Sequence, residues 1–339
     1  MNVLLTCAGR RNYLVGYFKQ ALGDRGQVFA ADNSALAPAF QDADKAFIVS
    51  NVYDPDYINQ LLTICKSQHV RMVIPLNDLE LPVLAENKDL FDREGIIVVV
   101  SDANVINTCF DKWQSFVFAS KRGIAMPPVF LSMYSAMQAL DSGQLKFPLV
   151  VKPRWGTASI CVEICHDLEE LTYAYELTKR RLPGTLLSRV CAADMGESVL
   201  IQAMFYGIEY GLDVVNDLDG RYVCTFVKQK LAMRAGETDK AITVDNSDLA
   251  GVGGKIGKCL GHLGNLDCDI FADDKGYYLL EMNPRFGGGY PFSHIAGANI
   301  PAALLAWADG KIPDPSWLKT TPDVTSAKYD KLIIIPSNC

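Results

Sequence analysis

Residues 277–286, Tyr-Tyr-Leu-Leu-Glu-Met-Asn-Pro-Arg-Phe, decide how this chain is interpreted. The run opens with apolar residues typical of a strand, and strand side chains alternate between two faces. Glu281, Asn283 and Arg285 therefore share one face. Oxygen ligands suit a hard divalent cation bound with phosphate, and arginine holds an anion through paired hydrogen bonds. The pattern predicts a metal–phosphate site, and the alternative is a solvent-facing edge strand.

A second strand-like segment, Leu266–Phe271, lies upstream and carries Asp267 and Asp269 on a common face. The sequence Asp-Asp-Lys-Gly between the two runs predicts a turn, so the runs form a hairpin. The hairpin places a second carboxylate beside Glu281 and predicts a cradle for two magnesium ions. Three consecutive glycines after Phe286 favour close approach of the backbone to a ligand.

Length and composition limit the class of protein. A chain of 339 residues is long enough for two or three cores, which predicts a multidomain soluble protein. The formal net charge of −7, with both signs interspersed, disfavours a nucleic-acid binder with a broad basic face. The sequence shows neither a run of about 18 apolar residues nor a signal-peptide pattern, so we expect no membrane span and a cytoplasmic location.

The first hundred residues alternate between strand and helix patterns, which indicates parallel pairing in a doubly wound sheet. The predicted strands are Val3–Cys7, Val28–Ala31, Met72–Pro75 and Ile96–Val100, and the predicted helices are Asn12–Leu22, Tyr53–Gln68 and Leu79–Phe91.

Polar residues follow these strands, and ligands of such sheets bind at the carboxyl ends of the strands. The pattern predicts an anion or substrate pocket, with ordinary turn and capping residues as the alternative. The sequence after the first strand lacks the glycine spacing of a dinucleotide site. The candidate residues are Gly9, Arg10, Asp32, Asn77, Asp78 and Glu80.

Lys152 ends an apolar strand, Leu149–Pro153, and precedes a loop of small residues. Backbone amides and hydroxyls of Gly156, Thr157 and Ser159 can surround phosphate oxygens while the lysine ammonium neutralises their charge. The spacing is not that of a Walker A motif. The alternative for Lys152 is a solvated strand end.

A third element runs from Gln202 to Glu209, where a strand gives way to a glycine and an acid. The pattern suits adenine held by backbone groups, with Glu209 on the ribose hydroxyls. An edge strand with a surface loop is the alternative. The segments Val199–Ala203, Gly211–Val215 and Tyr222–Leu231 predict antiparallel strands around it.

Together these elements resemble the ATP-grasp superfamily over nearly the whole chain. The resemblance implies that Lys112 is the first nucleotide lysine and that Lys152 and its loop form the second lysine and a phosphate lid. Gln202 begins the interlobe hinge, in which Ala203 and Phe205 give backbone contacts to adenine. The implied ligands of two Mg²⁺ ions, with Mn²⁺ as an alternative metal, are Asp269, Glu281 and Asn283.

Within the superfamily, Ile74–Leu81 and Met233–Thr238 are similar to the carbamoyl phosphate synthetase large subunit. That subunit has two ATP-grasp units, whereas this chain has one. The sequence also lacks a recognisable segment that generates ammonia. The resemblance implies an α/β and α+β chain with an N-terminal doubly wound parallel sheet followed by a two-lobed ATP-grasp fold. The expected divisions are an N-terminal domain at 1–108, a small lobe at 109–202, a metal-binding lobe at 203–315 and a tail at 316–339.

The resemblance also implies an ADP-forming ligase that joins a small-molecule carboxylate to an amine through an acyl phosphate. Alternatives are a carbamoyl-phosphate-like enzyme that phosphorylates bicarbonate or carbamate, and a non-catalytic ATP-binding module. A homodimer is carried over by analogy alone. Lys112, Lys152 and Lys230 would hold the triphosphate, Arg285 and Arg234 the carboxylate or acyl phosphate, and Gly287, Gly288, Gly9, Arg10 and Asp78 the substrates.

Overall fold

The computed structural model describes residues 1–156 and 160–335. The predicted phosphate-loop residues Thr157 and Ser159, and residues 336–339 of the predicted tail, lie outside the described residues. Within the described part of the chain, three sheets form successive layers, and every helix is too short or too polar to cross a lipid bilayer.

The N-terminal sheet is parallel, with strand order β3-β2-β1-β4-β5, and confirms the doubly wound pattern. Val3 and Leu5 of β1 pack into the core on one face, and Leu4 packs into the core on the other, because strand side chains alternate. The edge strand β3 was not predicted, since its side chains are largely exposed and show no apolar alternation. The elements are β1 (Asn2–Thr6), α1 (Asn12–Leu22), β2 (Val28–Asp32), β3 (Lys45–Ile48), α2 (Tyr57–Ser67), β4 (Val70–Pro75), α3 (Leu81–Asp92), β5 (Ile97–Val98) and α4 (Ala103–Phe110).

The next sheet has four antiparallel strands in the order β6-β9-β7-β8. Leu149 and Val151 of β7 pack into a core with Leu171 of α7, so Val150 and Lys152 lie on the opposite face of the strand. Helix α4 runs through residue 108, where the sequence predicts the first division. The elements are α5 (Lys112–Lys121), β6 (Val129–Phe130), α6 (Met133–Asp141), β7 (Leu149–Pro153), β8 (Glu163–Cys165), α7 (Leu168–Arg181), α8 (Ser188–Cys191) and β9 (Val199–Ala203).

The third sheet has six antiparallel strands in the order β14-β13-β10-β11-β12-β15. Leu266, Cys268 and Ile270 of β13 pack into a core with α9, which leaves the aspartates of β13 on the other face. The elements are β10 (Ile208–Asn216), β11 (Tyr222–Arg234), β12 (Glu237–Thr243), α9 (Ser247–Leu260), β13 (Gly264–Asp273), β14 (Gly276–Asn283), α10 (Tyr290–Ile295), α11 (Ile300–Ala308) and β15 (Thr325–Ala327).

The hairpin of β13 and β14 has the predicted form. Asp269 pairs with Glu281 across it, and Asp267 pairs with Asn283. A register shift follows Asp269, which bends the hairpin at the paired carboxylates. Asp269, Glu281 and Asn283 therefore lie together on the two strands at one edge of the six-stranded sheet.

Candidate active site

A cleft of about 260 Å³ lies between the four-stranded sheet and the hairpin of β13 and β14. We call it the lobe cleft. Lys112, Lys152 and Glu281 lie at its polar part, and apolar side chains line the rest. The sequence-predicted residues Gly156, Gln202, Ala203 and Phe205 also line it.

The two predicted lysines are held by neighbouring polar groups. Lys152 is buried, and its Nζ donates to Gln202 Oε1 at 2.6 Å. Burial and the nearby charge of Lys112 lower the pKa of Lys152 to about 8, while Glu281 opposes the shift. The Nζ of Lys112 donates to the carbonyl of Gly156 at 2.7 Å. Two ammonium groups in one cleft form a strong site for an anion such as a polyphosphate.

Lys112 owes its position to a clamp that sequence reasoning missed. Asp111 caps helix α5, with its carboxylate accepting from the Trp113 amide at 2.9 Å. Arg154, which follows β7, donates to both oxygens of the same carboxylate at 2.8 to 3.1 Å. The start of α5 is thereby joined to the end of the strand that carries Lys152. An acid immediately before a helical pattern is the signal that indicates such a cap.

The hinge between the sheets supplies the apolar part of the lobe cleft. The ring of Phe205 lies 4.2 Å from that of Tyr278 on β14. The amides of Ala203 and Met204 donate to the carbonyls of Pro128 and Pro148 at 3.0 and 3.2 Å. The Ala203 amide is therefore engaged within the protein, and any base contact at this residue must use another group.

A second cavity, of about 290 Å³, adjoins the lobe cleft and shares Glu281 with it. We call it the central cavity. Asp269, Glu281, Asn283 and Arg285, which the sequence predicts as site residues, all line it. Because Glu281 borders both spaces, a group bound in one lies next to a group bound in the other.

Lys230 binds the acidic side of the central cavity. Its Nζ lies 2.7 Å from Asp269 Oδ1 and 2.6 Å from Glu209 Oε1. Burial alone would lower the pKa of Lys230, but the two carboxylates raise it above its ordinary value. Glu209, predicted to hold ribose, thus contacts the lysine and is not among the residues that line the lobe cleft.

The donor set of the central cavity fits magnesium. No group of three His, Cys, Asp or Glu side chains in the described residues forms a complete metal cage. Two facing carboxylates and an amide oxygen remain, from Asp269, Glu281 and Asn283. Mg²⁺ usually binds through one or two carboxylates together with waters and substrate phosphates. The residues present therefore suit a metal that arrives with a nucleotide.

Arg285 is buried and joins the N-terminal domain to the hairpin. Its Nη2 donates to Asp78 Oδ2 at 2.8 Å, and its Nη1 donates to Asp267 Oδ2 at 3.2 Å. Its Nε is buried and has no hydrogen-bond partner among the described residues. A buried donor without a partner is costly, so it marks a place where a ligand oxygen can bind. Asp78, predicted as a substrate residue, lies where it orients Arg285.

The glycine run packs against the protein's own side chains. A Cβ on Gly287 would lie 2.1 Å from Asp267 Cγ, and one on Gly289 would lie 2.7 Å from Lys228 Cε. The close approach predicted from these glycines is therefore to charged side chains at the floor of the central cavity. Gly288 and Gly289 line that cavity, whereas Gly287 does not.

A fully buried ion pair lies beneath the glycine run. Lys228 Nζ lies 2.6 Å from Asp213 Oδ2, and both side chains are inaccessible to solvent. Ser293 donates to the same carboxylate oxygen at 2.5 Å, and Asn265 donates to the other at 3.2 Å. The alternation of Lys228 with Lys230 indicates a shared strand face, but only the fold shows that Lys228 has a buried partner.

Of the remaining predicted residues, Asn77 lines the central cavity with Arg285, whereas Gly9, Arg10, Asp32 and Arg234 do not line it. The Gly9 amide donates to Asp32 Oδ2 at 2.8 Å in a turn where φ is +46°. Arg10 is 85% exposed, and Arg234 is about half exposed and paired with Asp330 at 2.6 Å. Both arginines line a third, outer cavity of about 650 Å³.

Comparison with known proteins agrees with this geometry. The model described as "PylC-like, N-terminal domain" matches residues 3–99, and "ATP-grasp in the biosynthetic pathway with Ter operon" matches residues 196–331. The carbamoyl phosphate synthase large chain of Methanosphaerula palustris is 25% identical over 87% of this chain and 28% of its own length. The vancomycin/teicoplanin A-type resistance protein VanA of Enterococcus faecium is 26% identical over 57% of each chain.

Solved structures show the same fold. The L-amino acid ligase of Bacillus licheniformis superposes with a TM-score of 0.71 at 18% identity, over 95% of this chain and 78% of that one. A biotin carboxylase of Campylobacter jejuni superposes with a TM-score of 0.73 at 14% identity, over 94% and 73%. The chain spans only 19% to 28% of the first three carbamoyl phosphate synthase relatives. The chain thus has the ATP-grasp fold and is similar to the carboxylate–amine ligases of the ATP-grasp superfamily.

Proposed function

We propose that this chain is an ATP-dependent ligase that joins a carboxylate to an amine through an acyl phosphate and releases ADP and phosphate. The observation that carries the proposal is the sharing of Glu281 by the lobe cleft and the central cavity. A nucleotide in the first space has its terminal phosphate beside the second, where Arg285 has a free buried donor. The proposed setting is the cytoplasm, and a homodimer is proposed by analogy with relatives.

The lobe cleft is the proposed nucleotide site. Its apolar part, formed by side chains such as Val150, Met204 and Phe205, suits a flat base, and Lys112 and Lys152 suit the phosphates. Gly156 begins the proposed phosphate lid. Thr157 and Ser159 remain sequence-based members of that lid. Glu209 remains the proposed ribose residue, and in the structure it accepts a hydrogen bond from Lys230. The proposed role of Lys230 is to contact the triphosphate as well.

Asp269, Glu281 and Asn283 are the proposed ligands of two Mg²⁺ ions, with Mn²⁺ as an alternative. When bound, such ions neutralise the oxygens of the transferring phosphoryl group. The contribution of these residues is to fix positions on one rigid hairpin, because phosphoryl transfer depends mainly on positioning and charge.

The reaction has two steps. A carboxylate oxygen attacks the γ-phosphorus, and the bond between that phosphorus and the bridging oxygen of ADP breaks. The amine nitrogen then attacks the acyl carbon. The bond between that carbon and the phosphate oxygen breaks, its electron pair leaves with phosphate, and the nitrogen loses a proton. Arg285 would hold the carboxylate and then the acyl phosphate through its Nε, while Asp78 and Asp267 fix its orientation.

Bicarbonate is the second candidate for the acid, because the chain is similar to carbamoyl phosphate synthase large chains and one carboxylase structure of the same fold contains bicarbonate. The test measures ADP release with magnesium-ATP and a panel of amino acids, hydroxy acids and dicarboxylates. Hydroxylamine serves as a small acceptor that traps acyl phosphates, with bicarbonate present or absent. We expect ADP and a hydroxamate only when an organic carboxylate is present. Turnover with bicarbonate alone would favour the second candidate, and tight ATP binding without turnover would favour a binding module.

The proposed divisions of the chain are 1–108, 109–202, 203–315 and 316–339. The first and third divisions meet where Arg285 donates to Asp78. The proposed substrate would bind at this contact between the two divisions. Limited proteolysis followed by mass spectrometry tests the divisions, and we expect the first cuts near their ends.

A further inference from the structure

The outer cavity is larger than the two cavities that the proposed reaction uses. Four separate parts of the chain build it: the start of α1, the turn between β11 and β12 with the first residues of β12, helix α10, and β15 with the segment after it. The residues of the nucleotide site do not line it. A ligand in the outer cavity would therefore be distinct from the nucleotide.

The outer cavity and the central cavity share a border, which we call the passage. Arg11, Ala235, Glu237 and Thr238 line both. A Cβ on Gly288 would lie 3.3 Å from Glu237 Oε2 and 3.6 Å from Arg11 Nη1, so these three residues converge. A ligand of the outer cavity can thus present one small group to the central cavity, on the side away from the lobe cleft.

One wall of the outer cavity is apolar and partly exposed. The rings of Tyr13 and Tyr17 lie 5.9 Å apart, and Phe292 and Ile295 of α10 line the same space. Ile295 is 66% exposed. Aromatic and aliphatic side chains around a concave space favour a ligand with an apolar body.

The charges of the outer cavity are unequally engaged. Glu237 accepts from Lys328 Nζ at 3.0 Å, and although burial opposes the shift, Arg11 and Lys328 hold its pKa below the ordinary value. Asp330 is engaged by Arg234 at 2.6 Å, whereas Arg10 reaches it only at 3.9 Å. An ionised carboxylate therefore faces the passage, and a loosely paired arginine lies on the outer side.

Because the central cavity has the phosphate-binding and carboxylate-binding groups, the amine must reach the acyl carbon from elsewhere. Resting on the proposed function, we propose that the outer cavity binds the amine substrate, and that this amine carries an apolar body and an anionic group, as an apolar amino acid does. The amine enters the passage at Glu237 and Gly288. The apolar body lies against Tyr13 and Ile295, and the anion pairs with Arg10.

The first experiment compares three acceptors with a donor carboxylate found by hydroxylamine trapping. Phenylalanine has all three features, phenethylamine lacks the anion and glycine lacks the apolar body. We expect the KM of phenylalanine to be at least about tenfold lower than that of either analogue, since a charge-assisted hydrogen bond contributes about 1.5–3 kcal/mol. A reaction with phenylalanine and no donor carboxylate is the control, because phenylalanine could itself be activated through its own carboxylate. Equal KM values for phenylalanine and phenethylamine would overturn the amine site.

The second experiment fills the outer cavity. Ala327 lines it and is exposed, so Ala327→Trp reduces its volume without changing a charge. We expect the KM of phenylalanine to rise at least tenfold and the KM of hydroxylamine to stay the same. The ratio of the two KM values should therefore also rise at least tenfold. Ala103→Trp, at an exposed alanine that does not line the cavity, should leave this ratio unchanged. An unchanged ratio in Ala327→Trp contradicts the proposal.

The third variant, Arg10→Ala, removes the proposed anion partner and keeps the apolar wall. It should bring the KM of phenylalanine close to that of phenethylamine, and retained discrimination would contradict the proposal. Absence of ADP release with hydroxylamine and every carboxylate overturns the proposed function, and with it the amine site. Hydroxylamine turnover without acceptor discrimination overturns the amine site alone.

Discussion

The lobe cleft and the outer cavity are two binding spaces built in different ways. The lobe cleft uses strand faces and a helix start, so its residues come in short runs such as Val150–Gly156 and Gln202–Phe205. The outer cavity is also lined by short runs, within residues 10–17, 234–239, 291–295 and 326–330, but these runs carry no strand-end or hinge pattern of the kind seen in the lobe cleft. The lobe cleft could therefore be predicted from sequence patterns, whereas the outer cavity becomes visible only in the folded structure.

The difference extends to chemistry. The lobe cleft has two lysines and apolar walls, which fit a ligand that every ATP-grasp protein must share. The outer cavity mixes three acids with four bases and aromatic rings, which fits the proposed amine substrate. Substitutions should therefore affect nucleotide use and acceptor choice separately, and Glu281 lies at the border between the lobe cleft and the central cavity.

Glu281→Gln tests the shared point and should have the largest effect. Removing a proposed carboxylate ligand of the metal should reduce ADP release at saturating magnesium by at least about a hundredfold, because metal stabilisation of the transferring group amounts to several kcal/mol. Acceptor choice, measured on residual turnover, should not change. The control is Asp274→Asn, the same change at the exposed tip of the hairpin. Activity within twofold of the unsubstituted chain would remove Glu281 from the mechanism.

Lys152→Met tests the nucleotide side alone. The Kd of magnesium-ATP, measured by calorimetry, should rise about tenfold to a hundredfold, since a hydrogen bond to a charged group contributes about 1.5–3 kcal/mol. The KM of the amine should stay the same. Lys121→Met, at an exposed lysine near the end of the helix that begins with Lys112, is the matched control. A parallel rise in both constants would show that the two spaces are not separable.

The pKa of Lys152 makes a pH test of the same contact. Only the ammonium form attracts phosphates, and burial with the charge of Lys112 lowers its pKa to about 8, with Glu281 opposing. The Kd of ATP should therefore rise as pH increases above about 8, approaching tenfold per pH unit, because the uncharged fraction grows. In Lys152→Arg the Kd should stay flat between pH 8 and 9.5. A flat profile in the unsubstituted chain would contradict the lowered pKa.

Much of the fold was predictable because its signals are local. Helix α1 was predicted with its observed ends, and so were strands β7 and β9. The hairpin of β13 and β14 followed from a turn sequence between two alternating runs. By contrast, β12 and β15 were not predicted, because β12 is mixed in polarity and is defined by its pairing with β11, and β15 has only three residues and pairs with β12.

Parts of the site were not predictable for the same reason. Nothing near Arg285 in sequence indicates Asp78, which lies 207 residues away and fixes its orientation. Arg234 was predicted beside the acyl phosphate, yet its side chain pairs with Asp239 and Asp330 in the outer cavity. Arg11 was overlooked in favour of Arg10, because the choice between adjacent arginines depends on which one the turn after β1 directs into the passage.

Gly287→Ala and Gly288→Ala compare adjacent positions at the border between the spaces. A Cβ at 287 would lie 2.1 Å from the Asp267 carboxylate and should displace it, and overpacking typically costs about 1–3 kcal/mol. A Cβ at 288 meets Glu237 at 3.3 Å, where the end of a flexible side chain can move. Thermal denaturation should therefore show a lower midpoint for Gly287→Ala only. Equal midpoints would show that Asp267 moves freely and does not fix Arg285.

Arg234→Ala should have the smallest effect, and it distinguishes the two spaces most directly. If Arg234 stabilised the acyl phosphate, its removal would reduce turnover with every acceptor, hydroxylamine included. In the structure it is about half exposed and engaged by Asp239 and Asp330, so its net contribution is screened by water. Its loss frees Asp330 to attract Arg10, the proposed anion partner. We therefore expect the KM of phenylalanine to rise about two- to fivefold, within the range of an exposed ion pair, while hydroxylamine turnover changes less than twofold. An equal loss of turnover with every acceptor, hydroxylamine included, would instead indicate that Arg234 stabilises the acyl phosphate and acts in the central cavity.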